Sequence, residues 1–145
     1  MVEAAGRRLG PAVELVESDG EPSRLLDAWT GFDLAVAVDA VCSGATPGTV
    51  HVWADEPAQP RGSRSTGSHA LGVAEAIALG QALDRLPARL VVVGIEAHET
   101  ILGHGLSSAV AGAVENAVDV IATLIAERGG DGVQELHGVG VGRML

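Results

Sequence analysis

Short, nearly unbroken apolar runs alternate along this chain with longer stretches whose apolar residues recur at helical spacing. The segment Asp33-Leu34-Ala35-Val36-Ala37-Val38-Asp39-Ala40 is the clearest of the runs. A run of this kind reads as a strand buried on both faces, as in a parallel sheet. Residues 13–17, 49–53 and 89–96 predict three further strands. Between them, residues 22–29 carry Leu25, Leu26 and Trp29 on one face and predict a short helix. Ser68 is placed to N-cap a helix running to about Leu83, and Ser107 or Ser108 opens a last helix. Residues 2–9 have the pattern of the end of a helix, closed by Gly10-Pro11. Strands interleaved with helices predict a doubly wound, mostly parallel sheet in a three-layer α/β/α fold.

The connections carry their own signals. Ser18-Asp19-Gly20 predicts a turn, and residues 43–48 form a Gly/Pro loop. Residues 55–67 hold Pro57, Pro60, Gly62 and Gly67 without periodicity and read as a mobile loop. From Gly129 onward glycines recur without an apolar pattern, so a single domain is expected over residues 1–128, followed by a flexible Gly-rich tail over 129–145.

Composition narrows the function classes. A chain of 145 residues is one domain and buries about 70% of its unfolded surface. With one Phe, two Trp and no Tyr, the core falls to Val, Leu, Ile and Ala. The net charge is −10, and every basic residue is Arg. That acidity disfavours nucleic acid or an anionic membrane surface as a partner. Cys42 is the only cysteine, and no secretory signal is visible, which points to the cytoplasm. The apolar stretch near residues 107–127 contains Glu115, Asn116 and Asp119 and reads as too polar to insert in a membrane.

Two residues stand where an α/β fold does its chemistry. Asp39 ends the central apolar run, and ligands of open α/β sheets bind outside the carboxyl ends of the strands. His69 opens the next long helix, at a junction expected on the same edge. One oxygen and one nitrogen donor there can form part of a divalent metal site. Each also has a plainer reading: Asp39 as an acceptor for loop N–H groups, His69 as a solvated residue of a helix start. A positively charged His is disfavoured at a helix N-terminus, which suits a neutral, metal-binding imidazole. Asp19 reads as a turn residue, His51 as a strand surface residue and Cys42 as a bystander. His98 and His104 lie in the loop after the last strand and are not assigned as ligands.

Several segments together carry a family resemblance. They are Val38-Asp39-Ala40, Gly44-Ala45-Thr46-Pro47-Gly48-Thr49-Val50, Ser68-His69-Ala70-Leu71-Gly72-Val73-Ala74-Glu75-Ala76, Val92-Val93-Gly94-Ile95-Glu96 and Gly103-His104-Gly105-Leu106-Ser107. In order and spacing this set resembles the hydrogenase maturation endopeptidases over roughly residues 1–127. The resemblance implies a phosphorylase/hydrolase-like α/β fold and an aspartic-type endopeptidase. Such enzymes remove a short carboxy-terminal peptide from the large subunit of a nickel-iron hydrogenase after nickel insertion. It implies a Glu, Asp and His site able to hold a divalent metal, with nickel supplied by the substrate subunit. Asp39 matches the Asp and His69 the His, as catalytic and metal-binding residues.

The departure lies at the amino terminus. Family members begin with a strand and a Gly-rich loop that carries the first acidic ligand, and Met1-Val2-Glu3 already resembles the later part of the first helix. Loss of a central strand would expose two sheet edges, so a longer native protein is expected. Two ligands fall short of the usual three of a hydrolytic metal site. The competing reading is therefore a catalytically incomplete relative that binds a hydrogenase subunit without cleaving it. A flavodoxin-like nucleotide binder is a third reading, weakened because no Gly-rich phosphate cradle accompanies the helix starts.

Overall fold

Strands buried on both faces fix the layers. In the computed structural model, residues 8–9, 13–54, 68–97 and 108–128 are described, the first turn of the 68–82 helix by its backbone only. The strands are β1 (Leu34–Val41), β2 (Val50–Ala54) and β3 (Arg89–Glu96). The helices are α1 (Pro22–Trp29), α2 (Ser68–Ala82) and α3 (Ser108–Arg128). The sheet order is β1-β3-β2, with β3 in the centre. β1 pairs with β3 in parallel, from Leu34 opposite Arg89 to Val41 opposite Glu96. β2 runs antiparallel to β3, with His51 opposite Gly94.

One face of this sheet carries Leu34, Val36, Val38, Val91, Val93 and Ile95 and packs on α3. The matching stripe of α3 is Val110, Ala113, Val114, Ala117 and Ile121, spaced three and four apart as one helix face requires. The opposite face meets α1 and α2, where Leu25, Leu26, Trp29, Ala35 and Ala76 form a second core. Helices thus cover both faces, as the α/β/α expectation requires. Among the described strands, β2 departs from a parallel arrangement.

Local chemistry explains the element ends. Glu21 caps α1 by accepting the N–H groups of Ser23 and Arg24, and Pro22 occupies the first turn, where a missing N–H costs nothing. Hydrogen bonds from the Ser23 hydroxyl and from the N–H groups of Ser23 and Arg24 hold the Glu21 carboxyl below its ordinary pKa. Residues 13–17, expected as a strand, are not part of the described sheet. Val13 and Leu15 nevertheless pack against the α3-side core. Arg8 and Leu9 are helical, as expected for the end of a first helix, and Arg8 pairs with Glu115 and Asp119 of α3.

By length and composition alone, α3 passes for a membrane span, against the sequence reading that it is too polar. Its apolar stripe is instead occupied by the sheet. The 55–67 loop, His98, His104 and the 129–145 tail lie outside the described residues.

Candidate functional site

The carboxyl ends of the parallel strands bring several polar groups to the α1/α2 face. Side chains alternate along a strand, so Asp39, Val41, Gly94, Glu96, His51 and Trp53 share one face through their pairings. It is the face opposite Val38, Ile95 and Val50, which belong to the α3-side core. Asp39, Gly94 and His51 lie in one row across the three strands. Gly94 is required there: a Cβ would come 2.7 Å from the Trp53 ring and 2.9 Å from Val41.

Asp39 is partly buried, and its Oδ1 accepts the N–H of Ala40 at 2.8 Å. That bond fixes the rotation of the carboxylate at the strand end. His69 lies in the opening turn of α2. Gly80, near the other end of α2, packs on Leu26 and Leu86, and the chain then enters β3 at Arg89. The helix therefore runs back along the sheet, and its opening turn points toward the carboxyl edge. Gly72 in the next turn lies so close to the Gly20 carbonyl that any Cβ would collide with it. The His69 side chain lies outside the described residues.

Sequence reasoning missed Glu96. This last residue of β3 is only 1% exposed. Its Oε1 accepts Ser43 N–H at 2.7 Å and Gly44 N–H at 2.9 Å. Its Oε2 accepts the Ser43 hydroxyl at 2.8 Å and meets His51 Nε2 at 3.1 Å. Burial works against the charged carboxylate, yet these bonds from Ser43, Gly44 and His51 outweigh it and hold the carboxyl below its ordinary pKa. His51, expected as a surface residue, is half-buried: its side chain is 27% exposed and stacks on Trp53 with ring centroids 5.5 Å apart. The Cys42 thiol donates to the Ala97 carbonyl. Asp19 accepts the N–H of Glu21 and pairs with Arg24, in keeping with a turn residue.

Among the described residues, no group of three or more His, Cys, Asp or Glu side chains could hold a metal ion. Asp39 and His69 are residue types suited to a divalent ion, one oxygen and one nitrogen donor, where hydrolytic sites usually use three protein donors.

This chain belongs to the hydrogenase maturation protease family, whose sequence pattern matches residues 2–124. The fold agrees. The hydrogenase maturating endopeptidase HybD from Escherichia coli superposes with a TM-score of 0.76 at 25% identity, over 88% of this chain and 81% of that one. A second endopeptidase from Escherichia coli gives 0.75 at 28% identity, with the same coverage. The nickel-iron hydrogenase maturation protease HybD from Thermococcus kodakarensis gives 0.57 at 30% identity, over 70% of this chain and 71% of that one. No curated protein sequence matches the chain.

Proposed function

We propose that this protein is a cytoplasmic endopeptidase that removes the carboxy-terminal peptide of a nickel-iron hydrogenase large subunit once nickel is inserted. The observation that carries the reading is Asp39: a partly buried carboxylate at the carboxyl end of β1, in a chain of the hydrogenase maturation protease family. Asp39 and His69 are the catalytic residues of this reading and the protein's ligands for a divalent ion. In this reading the ion is the nickel that the substrate subunit carries. Bound there, a divalent ion would polarise the scissile carbonyl or activate a water. The Ala40 N–H holds the Asp39 carboxylate in one orientation, so the substrate meets a preset ligand rather than a rotating one.

The test is a gel assay of a nickel-loaded precursor subunit, which shortens when its tail is removed. Wild type is expected to shorten it, and Asp39→Asn and His69→Ala are expected to leave it intact. Cleavage by either variant at the wild-type rate would reject the assigned roles. The second reading is a relative that binds the subunit without cutting it. A folded wild type that binds the precursor and never shortens it would establish that reading instead.

A further inference from the structure

The β1–β2 connection leaves β1 three residues beyond Asp39 and reaches β2 on the far side of β3. It must therefore cross over the carboxyl end of the central strand. Glu96 ends that strand and holds both ends of the crossing. Its carboxylate takes the N–H groups of Ser43 and Gly44 and the Ser43 hydroxyl at the first end. Its main chain takes the second: Gly48 N–H donates to the Glu96 carbonyl at 2.8 Å, and Glu96 N–H donates to the Thr49 carbonyl at 2.8 Å. His51 Nε2 then meets the outer carboxylate oxygen from β2.

A carboxylate this buried is tolerated only when its lone pairs are satisfied, and here four donors meet it. The strand ladder does not need that side chain, and a Val at this position would suit an apolar core. What the side chain does hold is the connection bordering the edge where Asp39 stands.

We propose that Glu96 is a positioning residue for the Asp39 site, holding residues 42–49 as a fixed wall of the crevice at the carboxyl edge. The inference rests on the protease reading for its consequence in turnover. Its structural content, a wall held by one carboxylate, stands apart from that reading. A loosened wall lets the substrate peptide sample unproductive poses, so the loss falls on kcat rather than on KM.

The experiment uses the full chain and the variants Glu96→Gln, Glu96→Ala and Ser43→Ala, assayed well below their melting points. In Gln the amide oxygen keeps the two N–H bonds, but its NH2 accepts neither the Ser43 hydroxyl nor a proton from His51 Nε2. Glu96→Gln is therefore expected to move the His51 ring-nitrogen NMR signals and to lower kcat about tenfold with KM nearly unchanged, a modest case of misplacement. Ser43→Ala is expected to fall between this variant and wild type. Glu96→Ala is expected to shift the Asp39, Ser43 and Gly44 amide signals and to speed their hydrogen exchange. A folded Glu96→Gln with wild-type kcat would overturn the proposal, as would a fall in melting point alone. If folded wild type cleaves no precursor, the protease reading fails by itself. The amide signals then decide the wall: unchanged signals in Glu96→Ala overturn it, and shifted signals support it.

Discussion

At the scale of single residues, Asp39 and Glu96 are built on the same rule and were unequally legible. Both are carboxylates at the carboxyl end of an apolar run, where a charge can emerge from a buried strand. Asp39 was readable because the family pattern gives that position a role. Glu96 was not, because its partners Ser43 and His51 lie 53 and 45 positions away along the chain. Strand alternation likewise made His51 look solvated, and only the stack on Trp53 and the buried carboxylate draw it inward. The lowered Glu96 pKa has a definite sign. The unfolded chain binds the proton more readily, so this group's stabilisation is full above about pH 4.3 and fades as pH falls through the lower folded-state value. Urea unfolding of wild type and Glu96→Gln is expected to show the largest stability gap at neutral pH, closing in acid. A gap independent of pH would mean that folding leaves this carboxyl's pKa unchanged, and a gap that narrows as pH rises would mean that it stays protonated in the folded protein.

At the scale of elements, the helices and strands were legible almost to the residue where the apolar pattern was strong, as for α1 and β3. The direction of β2 was not. A five-residue run reads the same whichever way it pairs, and the choice is made by β3, more than thirty positions later. Packing also separates glycines that look equivalent in sequence. Gly112 sits exposed in α3 with nothing near a prospective Cβ, so Gly112→Ala is expected to stabilise by about 0.5–1 kcal/mol. Gly94 is pressed by Trp53 and Val41, so Gly94→Ala is expected to cost about 1–3 kcal/mol through overpacking. Ile121 is fully buried between α3 and the sheet, and Ile121→Ala is expected to cost about 2–5 kcal/mol. Denaturant midpoints at constant m-value check all three. Stabilisation by Gly94→Ala would show that the Trp53 ring yields easily.

At the scale of the whole molecule, the α/β/α architecture followed from the alternation of runs and helical stretches, while the site was legible only in part. Position and family resemblance single out Asp39 and His69 as candidates, but the closed network around Glu96 exists only once distant segments meet. That dependence on distant segments also governs the order in which the chain can acquire structure. Of the described strands β3 is made last, and it joins the other two, since β1 and β2 have no ladder with each other. A nascent chain that has released β1 and β2 but not yet residues 89–96 holds two adhesive strands that lack their partner β3. Each is then exposed to pairing with a neighbouring chain for as long as synthesis takes to cover the interval. A fragment ending at residue 88 is expected to show no cooperative unfolding and to aggregate, and a monomeric, cooperatively melting fragment would contradict this. Translation speed between β2 and β3 thus becomes a determinant of yield, and a pause placed there would lengthen the interval in which the growing chain is most vulnerable.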